Sequence, residues 1–128
     1  ILATKAFTVS MATVEQLAAC DYVGIVSGNK EADKFAKAGF TAARSEAVNA
    51  PIINELPMTL ECEVVSYDVE SNHLVGRIVN VSADESVLTD GKIDYHKLRP
   101  ITYDPINHHY IELGAVVGNA FSDGKQLK

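Results

Sequence analysis

The chain has 128 residues, of which 47% are hydrophobic and 22% charged, a composition typical of one globular domain rather than a disordered segment. The formal net charge of −6 argues against nucleic acid or an anionic membrane surface as the main partner. No apolar run approaches the roughly 20 residues that a membrane-spanning helix needs. Two distant cysteines, Cys20 and Cys62, fit neither a disulfide framework nor a zinc site. We interpret both as buried free thiols in a reducing compartment, the cytoplasm.

The first elements predicted along the chain are a strand and a helix. The stretch Lys5–Ser10, "KAFTVS", is short and rich in β-branched and aromatic residues, which predicts a strand. Thr13 and Gln16 fit a capping box, and the apolar spacing after them predicts a helix from about Val14 to Cys20, or as far as Val26.

The segment from Ser27 to Phe40 predicts a second helix, Asn29–Ala38, with Asn29 or Ser27 as its N-cap and Gly39 as its C′ residue. Its lysines, Lys30, Lys34 and Lys37, would share one face, and Asp33 could pair with Lys37. Phe35 and Ala38 would face the core. This pattern has two interpretations: a solvated lysine face, which the residues alone favour, or a phosphate site at the helix N-terminus formed with Ser27 and Gly28.

The region from residue 41 to Pro57 is expected to be irregular, and a long antiparallel hairpin follows. The alternating segments Met58–Glu70 and His73–Glu85 predict its strands, with a tight turn at residues 71 and 72. Glu61 and Glu63 share one strand face, which is expected to be exposed. Arg77 in the second strand is expected at a solvated face or a subunit interface.

The last third of the chain predicts short elements. Residues 89–100 predict a turn and one helical turn, residues 101–105 and 107–113 predict strands, and residues 114–121 predict a short helix or coil before a polar tail. Tyr103 and Tyr110 frame a loop, where packing is favoured over ligand binding. His108 and His109 would point to opposite faces of a strand, so no metal site is expected. The mixture predicts a mainly β fold with short helices, a small barrel or sandwich.

Five segments in order resemble the flavin reductase-like, flavoredoxin-type flavoproteins. They are "DYVGIVSGNKEADKFAKAGF", "APIINELPMTLECEVV", "HLVGRIVNVSADESVL", "RPITYDP" and "LGAVVGNAFSDGK". Each motif alone is weak, but their order along nearly the whole chain is specific. The resemblance implies a split β-barrel that binds FMN without a covalent bond, as a homodimer with the flavin near the subunit interface.

The same resemblance assigns residues and a function. Lys34 is the expected contact to the flavin phosphate, and Ser27, Gly28, Asp33 and Phe35 would shape the loop around it. The protein would move electrons between NAD(P)H or a redox partner and flavin, with no catalytic side chain identified. The alternatives are a non-catalytic flavin-binding electron carrier and a structural, dimer-forming fragment.

The beginning of the chain departs from this family pattern. Family members normally start well before the segment that matches Ile1, and that earlier part carries the first barrel strands. We therefore expect residues 1–128 to form the C-terminal part of one flavin reductase-like domain, incomplete at its N-terminus. Such a chain should expose strand edges and apolar faces.

Overall fold

The computed structural model describes residues 1–127 and is mainly β with short helices, as predicted. The strands are β1 (Ala6–Ser10), β2 (Ala42–Arg44), β3 (Pro51–Ile53), β4 (Met58–Asp68), β5 (His73–Ala83), β6 (Leu88–Thr89), β7 (Lys92–Ile93), β8 (Ile101–Asp104) and β9 (His109–Glu112). The helices are α1 (Leu17–Ile25), α2 (Lys34–Lys37) and α3 (Tyr95–Leu98), with 3₁₀ turns at Glu85–Val87 and Asp123–Leu127. Among residues 1–127, none of the helices has both the length and the apolar content that crossing a membrane requires.

An antiparallel sheet with the strand order β1-β4-β5 forms the centre of the fold. The predicted long hairpin is confirmed as β4 and β5, whose alternating side chains suit a two-faced strand pair. The turn between them begins at Val69 and is therefore longer than predicted. It is closed by Asn72 in the left-handed conformation, with φ 57°, and by the Asp68 carboxylate, which accepts the Ser71 N–H at 2.8 Å.

The pairing register divides this sheet into a polar and an apolar face, because cross-strand partners point to the same side. The polar face carries Thr8, Ser10, Thr59, Glu61, Asn80 and Ser82. The apolar face carries Phe7, Val9, Leu60, Cys62, Ile78 and Val81. A register shift between Glu61 and Cys62 marks a β-bulge in the hairpin.

The polar face is buried at its centre in β4, while the apolar face is buried at Cys62 and exposed in its outer strands. Thr59 and Glu61 are only 1% and 2% exposed, whereas Val9 and Val81 on the apolar face are 45% and 49% exposed. The expectation that Glu61 lies on an exposed face is therefore wrong. The reason is that the β2–β3 hairpin lies over the polar face, where the Thr8 hydroxyl donates to the Pro51 carbonyl at 2.6 Å.

That covering hairpin lies in the region expected to be irregular, so this expectation is also wrong. Strands β2 and β3 have three residues each, with Arg44 opposite Pro51 in the register. Strands this short give too few alternations to be recognised, and Pro51 is tolerated because it begins an edge strand.

Helix α1 begins at Leu17, three residues after the predicted start, and it ends at Ile25, next to the longer of the two predicted ends. The predicted capping box does not form. Gln16 is the N-cap residue and makes no side-chain capping bond. Thr13 is instead buried, at 2% exposure, and pairs as an isolated bridge with Pro100. The tertiary contact of Thr13 with Pro100 therefore replaces the capping interaction that was predicted for Thr13.

The apolar core is small, and one tight contact within it depends on a glycine. The buried apolar residues are Ala6, Phe40, Val48, Leu56, Cys62, Val87 and Leu98. The Phe7 ring lies over Gly76, where an added Cβ would approach the ring Cζ to 2.4 Å. Both cysteines are free thiols, as predicted, but only Cys62 is buried; Cys20 is half-buried, and its burial raises the pKa of the thiol.

The C-terminal elements follow the predictions more closely. The predicted helical turn is α3, capped by the Asp94 carboxylate, which accepts the His96 N–H at 2.9 Å. The two predicted strands are β8 and β9. His108 is not in the strand with His109, because it occupies the turn with φ 57° and its Nδ1 lies 2.7 Å from the Tyr103 hydroxyl. Residues 113–119 are coil, one of the two predicted alternatives.

Candidate functional site

The loop between α1 and α2 holds the residues assigned to the flavin phosphate, but the long helix predicted there does not form. Instead of Asn29–Ala38, the helix is the single turn Lys34–Lys37. The Ser27 carbonyl accepts the N–H groups of Lys30 and Glu31, both at 3.0 Å, so the chain turns before the helix starts. Gly39 ends the segment with φ 78°, which confirms its predicted place after the helix.

This shortening removes the predicted anion site at a helix N-terminus. Asp33 is the N-cap residue and makes no side-chain capping bond. One turn of helix aligns too few peptide dipoles to concentrate positive charge at its start. The interpretation that relied on an extended helix beginning near Asn29 is therefore wrong, and any phosphate contact here must come from side chains and the loop backbone.

The three lysines of this segment do not form the predicted common face. The Lys34 ammonium turns back to α1 and donates to the carbonyls of Val23 and Val26, both at 2.9 Å. Lys37 forms an ion pair with the Glu31 carboxylate, and not with Asp33 as predicted. That hydrogen bond lowers the pKa of Glu31 and raises the pKa of Lys37.

Lys34 thus caps the C-terminal end of α1, where the last carbonyls of a helix lack partners within the helix. Its side chain is half-buried, and the stem lies beside Gly28, where an added Cβ would be 3.8 Å from Lys34 Cε. An ammonium has three N–H donors, and the two carbonyls use two of them. Because carbonyls carry no net charge, they hold the ammonium in position without forming an ion pair with it.

The other assigned residues border this ammonium to different degrees. Ser27 precedes Gly28, and its hydroxyl oxygen accepts the Asn29 N–H at 3.3 Å, which leaves the hydroxyl proton free to donate. Asp33 is exposed at the start of α2. Phe35 is 38% exposed, and its ring lies 5.8 Å from the ring of buried Phe40. The expectation that Phe35 enters the core is wrong, because Phe40 holds that position.

A buried carboxylate that the sequence reading placed on the surface lies under the β2–β3 hairpin. The Glu61 carboxylate accepts hydrogen bonds from the Ser45 hydroxyl and from Asn80 Nδ2, the latter at 2.7 Å. The Ser45 oxygen in turn accepts the N–H groups of Ala47 and Val48 at 3.0 and 2.9 Å. The hydrogen bond from Ser45, followed by those from Asn80, Ser82 and the Ala47 N–H, lowers the pKa of Glu61.

This network ties the loop after β2 to the middle of the sheet. The available sequence signal was the run of hydroxyl and amide residues at alternate positions of β1, β4 and β5. Alternation alone also suits an exposed face, which is why the network was missed.

An aromatic pair connects the C-terminal hairpin to α1. The rings of Tyr103 and Tyr110 are cross-strand neighbours 5.5 Å apart, and the Tyr110 hydroxyl donates to Asp21 Oδ1 at 2.7 Å. The hydrogen bond to this carboxylate raises the pKa of Tyr110. Within residues 1–127, no group of three or more His, Cys, Asp or Glu side chains is arranged to hold a metal ion.

Comparisons with known proteins place these features in context. The family model of the flavin reductase like domain matches residues 1–109. The flavoredoxin of Desulfovibrio vulgaris (Miyazaki F) is 37% identical with a TM-score of 0.88, and the match covers 97% of this chain and 67% of that one. The flavoredoxin from Methanosarcina acetivorans is 29% identical with a TM-score of 0.87, covering 100% of this chain and 68% of that one.

A curated relative extends well beyond the matched region. An uncharacterized protein of Aquifex aeolicus (strain VF5) is 30% identical over 107 residues, which are 79% of this chain and 53% of the relative. The chain therefore spans about half the length of this relative and about two thirds of the flavoredoxins.

Proposed function

The chain belongs to the flavin reductase-like domain family, and from this membership we propose that it serves a flavin-dependent redox reaction with FMN as the cofactor. Its fold is that of the family's split barrel, mainly β with sheets that do not close. Electrons would pass between NAD(P)H or a redox partner and the flavin. The observation that carries the proposal is the Lys34 ammonium, held by two neutral carbonyls with one donor free.

The surroundings of Lys34 fit the phosphate end of FMN. A phosphate group offers several strong acceptor oxygens, and an ammonium with one free N–H can donate to it as a point charge. The Ser27 hydroxyl and the side-chain-free backbone at Gly28 supply a second donor and open access beside it. In a chain of net charge −6, such a local positive charge is needed to attract a dianion.

The same reasoning separates Lys34 from Lys37. Lys37 is already paired with the Glu31 carboxylate, so much of its positive charge is compensated. Lys34 faces carbonyl dipoles, which orient it without cancelling its charge. We therefore assign the phosphate contact to Lys34, and we assign Asp33 and Phe35 the role of shaping the loop that carries it.

The protein's part in this chemistry is to bind and orient. FMN, when bound, supplies the reversible uptake and release of hydride or electrons, so the protein need not provide a nucleophile or a general base. The network of Glu61, Ser45 and Asn80 gives the loop after β2 a fixed position under the sheet. These side chains would keep the backbone around the cofactor in a fixed position and would not transfer a proton.

The state of the working protein is also proposed. We infer that residues 1–128 belong to a single domain, as the C-terminal part of the family's unit, that the protein acts as a cytoplasmic homodimer, and that nucleic acid and membranes are not its partners. These inferences follow from the family resemblance, the acidic charge and the free thiols.

A non-catalytic electron carrier is the second candidate, favoured by the flavoredoxin names of the two solved structures described above. Two measurements test both functions. A titration followed by flavin fluorescence reports FMN binding, and the absence of binding at high micromolar FMN would contradict both. Oxidation of NADH or NADPH with free flavin as acceptor then separates them, because only the reductase turns over.

A further inference from the structure

After the β8–β9 hairpin the chain continues as a coil arm, residues 113–121, in which every residue is exposed. The Leu113 N–H donates to the Pro100 carbonyl at 2.9 Å, which fixes the start of the arm. From residue 114 to residue 118, no backbone group forms a hydrogen bond with another described residue. The arm also carries no charged side chain, in a protein whose net charge is −6. The protein therefore presents a neutral segment that its own body does not support.

The large apolar side chains of this arm lie in water. Leu113 is 49% exposed and Val116 is 62% exposed, and further along Val117 and Phe121 are 100% and 99% exposed. A single apolar residue on a surface needs no explanation, but several gathered in one exposed segment mark a site of interaction. Covering these side chains would gain free energy, since each removes apolar surface from water.

A closed turn at the tip of the arm holds Phe121 in a strained conformation. Its φ is 61°, in the left-handed region that bulky residues rarely adopt. The Asn119 N–H donates to the Asp123 carboxylate at 2.8 Å, and the Asn119 carbonyl accepts the N–H groups of Ser122 and Asp123. Backbone strain of this kind is concentrated at functional positions. Since the Phe121 ring makes almost no contact with the described chain, the turn presents it outward, as an aromatic anchor of an interface is presented.

We propose that the arm docks on the body, residues 1–112, of a second copy of this chain, and that two copies exchange their arms about a two-fold axis. This inference rests on the homodimer proposed above and assigns the segment that holds it together. Each copy supplies both an arm and a surface that receives one, so the contact closes at two copies. An uncharged arm can approach a second copy of net charge −6 without bringing like charges together.

The area of the arm favours reciprocal exchange over the docking of one arm on an unrelated protein. Burying the exposed parts of Leu113, Val116, Val117 and Phe121 would remove roughly 400 Å² of apolar surface from water. In an exchange, each copy buries its own arm and a similar area beneath the other arm, or about 800 Å² per copy, which is the size of a standard stable interface. One arm on a foreign partner would bury about half of this, as weak contacts do.

Sedimentation equilibrium of the 128-residue chain and of arm variants tests this exchange. The parent should form a dimer, and Phe121→Gly should raise its dissociation constant at least about tenfold, because the aromatic anchor is lost. Glycine adopts a positive φ without strain, so this variant keeps the turn and removes only the ring. The melting temperature of the dissociated chain should not fall, since the ring is 99% exposed there.

A spin-label experiment shows on which copy the arm lies. Isotope-labelled chain is mixed with unlabelled chain that carries a nitroxide at Ala120→Cys, in a Cys20→Ser background so that buried Cys62 is the remaining thiol. We expect resonances of residues 1–112 in the labelled copy to broaden. Absence of broadening between copies in a sample that sedimentation shows to be dimeric would overturn the exchange.

A charge placed on the arm gives a second variant with a matched control. Val117→Asp should weaken the dimer at least about tenfold, because docking would bury an unpaired carboxylate. Ile106→Asp adds the same charge in the β8–β9 turn, where the side chain is 83% exposed, and should change the dissociation constant less than about twofold. A dimer that Phe121→Gly and Val117→Asp leave unchanged would overturn the arm exchange alone. A chain that stays monomeric at high micromolar concentration would overturn the proposed homodimer as well.

Discussion

Replacing Lys34 with alanine tests the proposed phosphate contact separately from the structural role of this residue, because different measurements report on the two roles. The change removes two hydrogen bonds from a charged donor to the carbonyls of Val23 and Val26. Such bonds are worth roughly 1.5–3 kcal/mol each when fully buried. Since this side chain is only half-buried, we expect a loss of about 1–2 kcal/mol in the free energy of unfolding, measured by urea denaturation.

Lys34→Ala should also weaken the binding of FMN, because it removes the proposed contact to the phosphate group. An ammonium and a phosphate charge about 4 Å apart interact by about 1 kcal/mol in water and about 4 kcal/mol near a protein surface. The position of Lys34 lies between these limits, so FMN affinity should fall at least about tenfold, since about 1.4 kcal/mol corresponds to a factor of ten.

Riboflavin, which lacks the phosphate, is the internal control for this experiment. Loosening of the loop in Lys34→Ala would weaken both flavins equally, whereas loss of the phosphate contact weakens FMN alone. The matched variant is Lys37→Ala, whose ammonium is paired with Glu31 and should change FMN binding less than about twofold. If Lys34→Ala weakens FMN and riboflavin by the same factor, the assignment of Lys34 to the phosphate is wrong.

Three further predictions concern the scaffold. Glu61→Gln should lower the free energy of unfolding by about 1–2 kcal/mol at neutral pH, because a charged acceptor is lost from a buried network. Since folding lowers the pKa of Glu61 below its ordinary value of 4.5, this stabilisation should be present above pH 4.5 and decline below it. A stability difference between variant and parent that does not change with pH would contradict this. Gly76→Ala should cost about 1–3 kcal/mol because its Cβ would meet the Phe7 ring, and Phe7→Leu should recover part of the loss in thermal denaturation. Arg99, with φ 48° and ion pairs to Glu15 and Glu112, should give a more stable chain as Arg99→Gly than as Arg99→Ala, since glycine adopts the left-handed conformation without strain; the reverse order of melting temperatures would refute this.

The loop between α1 and α2 shows how far motif and local pattern can predict the structure of a candidate site. The order of the segments along the chain singled out Lys34, and the φ 78° of Gly39 agrees with its predicted position after a helix. The prediction of the helix Asn29–Ala38 was wrong because its local signals, a capping residue and acidic residues in the first turns, are equally compatible with the observed turns. A short helix pays a nucleation cost that only packing can offset, and the packing here favours the contact of Lys34 with α1.

The amino-acid sequence by itself determined the central hairpin and the division of its side chains into two faces. Long alternating runs specify β4 and β5 through local geometry, since each residue's direction follows from that of its neighbour. Only the tertiary structure decided which face is buried. That choice depends on where the β2–β3 hairpin packs, and the bond from Ser45 to Glu61 joins residues 16 positions apart. The two-residue alternation along a strand shows that the two faces differ in polarity. Contacts between distant segments determine which of these faces is exposed to water.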